Sequence, residues 1–483
     1  MNGAGLWTPP PTRPEARPPE SMVGPVALWR GSVMAHSGRD PYWKAKLRFE
    51  LAETPAAADL VNSACRRCHM PAPSTAEEGV TCTVCHQMMP DNLGTRDSFT
   101  GGFKLNEERT IYGPHADPFA MPMANFSGYT PTQGRHILDS AICGTCHTVI
   151  TPTLAADGSA AGEFIEQGTY LEWLRSSYPA EGKTCQSCHM EVLKDDQGDL
   201  VAQYIAHSPS GGRFGPTRPR APFGLHFFQG ANVQILGMLQ ELFPEETDEL
   251  ELAAQRTRES LESAVALEAE AKLSGGTLRA DISVMNRTGH KLPTAYPSRR
   301  MWLRVVVRDR DGGVVFESGA VDSNGEIRGV GESGGAIEPH HRLITRPDQI
   351  AIYEGEMRDP QGGHTVTLLR GAGFVKDNRI LPAGYDARRP LPQGVDQQGL
   401  APVGVEADSD FLPGSDGIRY EIATGAAPGP YRMSVEVLYQ SIKPSHLAGM
   451  SSSRSVEEAE FLNLYPRHTA PALMSRREMV VTQ

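Results

Sequence analysis

Hydrophobic and polar residues follow different patterns in the two halves of the chain. From about residue 26 to residue 273, short apolar clusters at helical spacing alternate with stretches rich in glycine and proline. Beyond residue 274, apolar and polar residues alternate singly, as from Leu278 to Val284, or form short apolar runs such as Met301 to Val307. The pattern predicts a multidomain protein, with a mainly α-helical and irregular part followed by an all-β, sandwich-like C-terminal domain.

The same patterns locate individual elements. Helices are expected from about Val26 to Glu53 with a break near Pro41, from Thr169 to Ser176, and from Glu245 to about Leu273. Residues 87–135 are rich in glycine and proline and are expected to form irregular loop. Short strands separated by glycine, proline and aspartate turns are expected near residues 276–310, 313–318, 349–354, 364–369 and 430–439.

Composition and charge limit the kinds of molecule that the protein is expected to bind. The formal net charge of −12 excludes nucleic acid as a default partner, and it favours a basic or neutral docking protein over an acidic one. No hydrophobic run approaches the roughly 18 residues that a membrane span needs, so no span is expected in this chain. The first residues also lack the basic and then apolar pattern of a secretory leader.

Four copies of one cysteine pattern lie between residues 65 and 189. In each copy two cysteines are separated by two residues and the second is followed at once by histidine; together the copies use all eight cysteines of the chain. The cysteines are Cys65, Cys68, Cys82, Cys85, Cys143, Cys146, Cys185 and Cys188, and the histidines are His69, His86, His147 and His189.

This spacing is typical of covalent attachment of c-type haem. Two thiols separated by two residues can each form a thioether to the porphyrin, and the adjacent histidine becomes the proximal ligand of the iron. The alternatives are a zinc site, a disulfide framework or a thioredoxin-like redox pair. None of these explains a histidine directly after every second cysteine, so we predict four haem c groups.

The motifs divide the chain into four predicted parts. These are a proline-rich arm over residues 1–28, a tetrahaem cytochrome c domain over 29–243, a helical connector over 244–273 and the β-sandwich-like domain over 274–483. The arm is expected to be a tether, with contact to a partner or neighbouring subunit as the alternative. Covalent haem attachment of this kind generally takes place after export. We therefore expect a periplasmic or extracellular protein whose leader was removed, or whose true start is not Met1.

Histidines outside the motifs are candidates for the distal side of each iron. The 15 histidines less the four proximal ones leave 11 for at most four distal positions, so bis-histidine ligation of every haem is possible. His36 lies in the first helical segment and is a candidate distal ligand. The alternative is that His36 is only a polar surface residue. His136 precedes Cys143 by seven residues and would share a helix face with it, from which His136 can reach a neighbouring haem.

A further candidate lies in the β part. His290 occupies a loop bounded by Gly289 and Pro293 between two predicted strands, and loops of this kind lie at the edge of a sandwich. From there His290 could reach the haem domain, and an ordinary surface turn is the alternative.

At these residues the chain resembles a known group, the multihaem cytochromes c related to the nitrifiers' tetrahaem electron carrier, here joined to a C-terminal β domain. The resemblance covers most of the chain after residue 28. It rests on the four haem motifs and on the segments 29–32, 39–41, 169–174, 289–294, 349–354 and 376–382. It implies distal roles for His136, His226 and His290, with His340 as a reserve candidate for the fourth haem, and it leaves His36 weaker.

Three functions are compatible with these observations. We favour a non-catalytic electron carrier, in which closely spaced, mostly bis-histidine haems pass electrons between redox proteins, because no convergent catalytic cluster is visible. The first alternative is a haem oxidoreductase that acts on a small nitrogen or sulfur compound at a five-coordinate haem. The second is a subunit of an extracellular cytochrome filament or another homo-oligomer.

Overall fold

The computed structural model describes residues 24–72, 78–202, 204 and 218–482. Most of the predicted proline-rich arm, residues 1–23, lies outside this part of the chain. The helices are α1 Pro25–Arg30, α2 Pro41–Glu53, α3 Ala58–His69, α4 Cys82–Gln87, α5 Ala120–Ser127, α6 Ala141–Gly144, α7 Thr169–Leu174, α8 Cys185–His189, α9 Val233–Leu242, α10 Thr247–Ala264 and α11 Val456–Leu464. None of the helices in the described ranges is long and apolar enough to cross a membrane.

The strands lie mainly in the C-terminal half. They are β1 Thr110–Gly113, β2 Thr130–Gln133, β3 Val149–Leu154, β4 Ala160–Gln167, β5 Val265–Ser274, β6 Thr277–Asn286, β7 Arg300–Arg308, β8 Val314–Ser318, β9 Leu343–Ile344, β10 Ile352–Arg358, β11 Gly373–Asp377, β12 Ser415–Ala423, β13 Tyr431–Gln440 and β14 Ala472–Val481.

The chain divides into two compact units. The first contains the described residues within Met1–Lys44, Asp59–Cys146 and Gly182–Thr257, and the second contains those within Ala45–Ala58, His147–Glu181 and Arg258–Gln483. These limits differ from the predicted domains, because two short segments that precede residue 244 belong to the second unit. Buried polar side chains hold one of these segments there: Lys46 donates to the carbonyl of Val366 at 2.7 Å, and Glu50 accepts from the backbone N–H of Leu368 at 2.9 Å.

The first unit is helical, with one small parallel strand pair. Val80, Val84, Met88 and Ile142 form its buried apolar cluster, and the indole N–H of Trp29 donates to the carbonyl of Val80 at 2.8 Å. The predicted helix over residues 26–53 is present in part as α1 and α2, but the break is longer than expected, since residues 31–40 are not helical and Pro41 begins α2. The prediction of irregular loop over residues 87–135 was wrong in part, because β1 pairs in parallel with β2 and α5 lies between them.

Two sheets and a hairpin make up most of the second unit. The strand order is β11-β10-β7-β13-β14 in the larger sheet, with β8 paired to β7, and β5-β6-β12-β9 in the smaller one; β3 and β4 form the hairpin. Alternate residues of β6 are buried, including Leu278, Ala280 and Ile282. The two sheets contact one another, since the ring of Phe316 on β8 meets that of Tyr420 on β12 edge-on, with centroids 6.1 Å apart.

Most predicted strands are confirmed, and two predicted elements are wrong. The expected strands near 276–310, 313–318, 349–354 and 430–439 correspond to β6 and β7, β8, β10 and β13. Residues 364–369 form no strand and lead into a short 3₁₀ turn at Leu368–Arg370. The predicted helical connector ends at Ala264, and Val265–Ser274 is a strand because every residue of it pairs with β6. Its Ala, Glu and Leu residues favour a helix locally, but strand pairing overrides that preference.

One buried carboxylate lies where β12 packs against β10. The hydroxyl of Tyr353 donates to Oδ2 of Asp416 at 2.7 Å, while Oδ1 of Asp416 is buried and has no hydrogen-bond partner among the described residues. Burial, assisted by the negative charge of Asp408, raises the pKa of Asp416 to about 7. The folded protein therefore holds a proton on Asp416 that the unfolded chain releases near pH 4.

We predict that Asp416→Asn flattens the pH dependence of stability. Between about pH 4 and pH 7 the folded state binds one more proton at this site than the unfolded state, so the wild-type free energy of unfolding falls as pH rises, by about 3 kcal/mol from this group. The amide keeps an acceptor for Tyr353 and cannot ionise. Urea unfolding at pH 4, 6 and 8 measures the difference between the two proteins, and parallel pH profiles would show that Asp416 titrates normally.

Candidate haem centre

Each cysteine motif includes a turn of helix. The first motif ends α3, the second begins α4, Cys143 of the third lies in α6, and the fourth forms α8. Residues three and four positions apart share one face of a helix, so in the first, second and fourth motifs the two thiols and the following imidazole lie on the same side. At the start of α8, the backbone N–H of Thr184 donates to the hydroxyl of Ser187 at 3.0 Å as part of a capping box.

Thiols from different motifs contact one another within the first unit. Cys143 hydrogen-bonds with Cys185, and Cys146 hydrogen-bonds with Cys68; each of these contacts, followed by burial, raises the pKa of the cysteine in the third motif. The cysteines of the third motif therefore lie between those of the first and the fourth, which brings three attachment points together.

The motif histidines are oriented by backbone carbonyls. The Nδ1–H group of His86 donates to the carbonyl of Tyr112 at 2.6 Å, that of His189 to Gln229 at 2.6 Å, and that of His69 to Ser37 at 3.3 Å. A neutral imidazole that donates from Nδ1 carries its lone pair on Nε2, which is the arrangement of most metal-bound histidines. Burial lowers the pKa of His69 to about 4 and that of His86 below its ordinary value, so both rings are neutral at pH 7.

The ring centroids of His86 and His226 are separated by the distance that one iron atom bound by both would require. Their ring centroids are 6.3 Å apart and their planes differ by 22°. A metal–imidazole nitrogen bond is about 2.0 Å long and the ring centre lies roughly 1.15 Å beyond the nitrogen, so two imidazoles on opposite sides of one metal have centroids about 6.3 Å apart. His226 also donates from Nδ1, to the carbonyl of Gly224 at 3.0 Å, and burial lowers its pKa to about 4. These residues fit a bis-histidine haem.

His290 shows the same proton placement in the second unit. Its Nδ1–H donates to the carbonyl of Lys291 at 2.8 Å, which places the lone pair of the ring on Nε2. His147 belongs to the same unit, and its carbonyl accepts from the backbone N–H of Tyr170 at 3.4 Å.

His36 and His136 have the opposite arrangement. Nε2 of His36 lies 2.8 Å from the carbonyl of Arg30, and its Nδ1 accepts from the guanidinium of Arg39 at 2.7 Å. Nε2 of His136 lies 2.9 Å from the carbonyl of Met88. In both rings the proton is on Nε2, and this geometry favours a structural role. The predicted helix that would carry His136 and Cys143 on one face is also interrupted, since a 3₁₀ turn over Arg135–Leu138 precedes α6.

His340 lies in a cluster with Asp408 and Asp416, and the ligand atoms of the three are within 4.8 Å of one another. Nδ1 of His340 accepts from the amide of Asn378 at 3.1 Å. That amide is fixed, because its nitrogen donates to the carbonyl of Ile352 and its oxygen accepts from the N–H of Glu354. The ring proton of His340 is therefore on Nε2, which lies 2.9 Å from Oδ2 of Asp408. A protonated Nε2 has no lone pair to offer to iron or to a separate metal ion.

Trp43 contributes a contact to the first motif that the sequence did not indicate. Its indole stacks on the ring of His69, with centroids 4.7 Å apart and planes 7° from parallel. The indole N–H is buried without a hydrogen-bond partner among the described residues. A buried donor next to a motif histidine fits a site that receives a polar group from the cofactor.

Comparisons with known proteins found a weak likeness among solved structures. No family model matches the chain, and no curated protein matches it. Among solved structures, a penta-heme cytochrome c552 from Thermochromatium tepidum is similar, with a TM-score of 0.49 and 16% sequence identity over 94% of each chain. At this score and identity the likeness establishes neither the fold nor the function, so the assignment of the site rests on its own residues.

We predict that replacing Cys185 and Cys188 together by serine removes one quarter of the covalently bound haem. Serine cannot form a thioether, while the other three motifs are unchanged. The pyridine haemochrome absorbance per chain and the intact mass measure the loss. A matched Ser452→Ala and Ser453→Ala double variant, which alters two exposed residues of the second unit, should retain all four haems. Wild-type protein that contained zinc in place of haem would contradict the assignment.

Proposed function

We propose that this protein transfers electrons through four covalently bound c-type haems between redox proteins outside the cytoplasm. The support from the sequence is the use of all eight cysteines in four motifs that each end in histidine. Bound haem supplies a reversible one-electron change at iron. The residues of the chain attach the haem, fix the protonation of its ligands and surround it with protein.

The observation that carries the proposal is the opposed pair of His86 and His226. An iron with histidine on both sides has no open position for a substrate, which favours electron transfer over catalysis at that haem. Both rings are held by carbonyls that accept from Nδ1, so the ligands are already oriented before iron binds. A site that changes little on oxidation and reduction suits rapid electron exchange.

The proposed ligand set follows from the same proton placement. His69, His86, His147 and His189 are the proximal ligands, and His226 is the distal partner of His86. His290 is the distal ligand of another haem, because its ring is held in the same way. His136, His36 and the reserve candidate His340, which the sequence also offers, are left out of this ligand set because each has its Nε2 proton directed at another protein group.

The proposed partners are a donor and an acceptor redox protein that we identify only by charge. The formal charge of −12 favours a basic or neutral docking face on the partner. Haem c attachment of this kind generally follows export, so we place the protein in the periplasm or outside the cell. Association into a homo-oligomer or filament remains a separate proposal.

We predict that His226→Ala converts one ferric haem of four from low-spin to high-spin. The substitution removes one axial ligand and leaves His86 and both thioethers of that haem in place. Low-temperature electron paramagnetic resonance counts the high-spin irons, and intact mass checks that four haems remain attached.

The matched control is His136→Ala, which removes a histidine of the same unit whose Nε2 is held by Met88. We expect this variant to keep the wild-type spin states. High-spin iron in His136→Ala but not in His226→Ala would reverse the two assignments. A wild-type protein that already contains a five-coordinate haem and binds nitrite or hydroxylamine would favour the oxidoreductase alternative instead.

A further inference from the structure

The loop that carries His290 is held at both ends by buried side chains. It leaves β6 at Asn286, whose amide nitrogen donates to the carbonyls of His290 at 2.7 Å and Ile380 at 2.9 Å. The amide oxygen of Asn286 accepts from the backbone N–H of Thr288 at 2.7 Å. One side chain therefore closes the turn and ties it to the neighbouring segment.

The carboxylate of Glu172 holds the other side of the loop. Glu172 lies on α7, and its Oε2 accepts from the backbone N–H of Lys291 at 3.0 Å and from the hydroxyl of Thr294 at 2.6 Å. The side chain is buried, and Oε1 has no hydrogen-bond partner among the described residues. Burying a carboxyl group costs free energy, which the two hydrogen bonds offset in part.

The side chain of Lys291 forms a second buried connection. Its ammonium group donates to Oδ2 of Asp377 at 2.5 Å, and the guanidinium of Arg379 binds both oxygens of the same carboxylate at 2.7 Å. Lys291, Asp377 and Arg379 are each at most 3% exposed. Buried ion pairs are a weak source of stability because desolvation offsets the attraction, but they fix geometry well.

Aromatic residues close off the remaining side. A Cβ on Gly289 would lie 3.0 Å from the ring of Tyr178 and 3.1 Å from that of Trp173, and the hydroxyl of Tyr178 donates to the carbonyl of Arg287 at 2.7 Å. The residues on either side of His290 are therefore fixed by different neighbours, while the ring itself is oriented by the carbonyl of Lys291.

We propose that Glu172, assisted by Lys291, Asp377 and Arg379, is a positioning residue that holds the imidazole of His290 ready to ligate iron. The inference rests on the proposed function, in which His290 is a distal ligand. The fixed backbone on both sides of His290 lowers the conformational entropy that ligation would otherwise cost. Loss of such outer contacts typically weakens metal binding by 10- to 100-fold.

The experiment measures how easily carbon monoxide displaces a distal histidine from reduced haem. In Glu172→Ala we expect the carbon monoxide concentration for half-saturation of one haem to fall by about 10- to 100-fold, because His290 competes less well for the iron. Glu172→Gln keeps an oxygen that can accept both hydrogen bonds and should stay near the wild-type value. Thr294→Val, which removes the hydroxyl that bonds Glu172 and Thr169 without changing charge, should give a smaller fall and serves if Glu172→Ala does not fold.

The matched control is Glu332→Gln. Glu332 is a buried carboxylate of the same unit that pairs with the buried guanidinium of Arg300 and has no hydrogen bond to the His290 loop. We expect it to lower stability without changing carbon monoxide binding. Equal falls in Glu172→Ala and Glu332→Gln would indicate general loosening of the unit and overturn the inference.

The variant His290→Ala distinguishes failure of the positioning inference from failure of the ligand assignment. If His290→Ala opens one haem to carbon monoxide while Glu172→Ala and Thr294→Val behave as wild type, His290 is a ligand and the positioning role of Glu172 is wrong. If His290→Ala leaves carbon monoxide binding unchanged, the ligand assignment fails and the positioning inference fails with it.

Discussion

The position of one proton on each imidazole decides which histidines can serve this protein as iron ligands. A backbone carbonyl that accepts from Nδ1 leaves the lone pair on Nε2, where the metal is reached most easily. His86, His189 and His226 have this arrangement in the first unit, and His290 has it in the second. Which ring nitrogen bonds a peptide carbonyl therefore distinguishes candidate ligands from other buried histidines, and the carbonyl can come from a residue of any type.

The attachment sites could be predicted from sequence because their chemistry is local. Both thiols and the proximal imidazole come from five consecutive residues, so spacing alone specifies the cofactor. The pairing of His86 with His226 could not be predicted in this way, since the two residues are far apart in sequence and no spacing rule joins them. The sequence also could not identify the carbonyls of Tyr112 and Gln229 as acceptors, because any residue at those positions supplies the same group.

In the β part, too, the sequence predicts elements that depend on local pattern and misses those that depend on distant contacts. Alternation predicted β6 correctly, because one face of that strand is buried and the other is not. The apolar run from Met301 to Val307 predicted β7, which is buried on both faces. It failed for β5, where Ala, Glu and Leu favour a helix and only pairing with β6 makes a strand. The segments 45–58 and 147–181 belong to the second unit through contacts such as that between Lys46 and Val366. No change in composition along the sequence indicates these contacts.

The contacts between thiols of different motifs have a consequence for how the protein matures. Cys68 touches Cys146 and Cys143 touches Cys185, so an oxidising compartment would favour a disulfide between motifs at each place. Each such bond would consume a sulfur from two motifs at once and block thioether formation at both. Oxidation at these places would therefore compete with haem attachment, and haem attached first would use up the thiols that could form the disulfides.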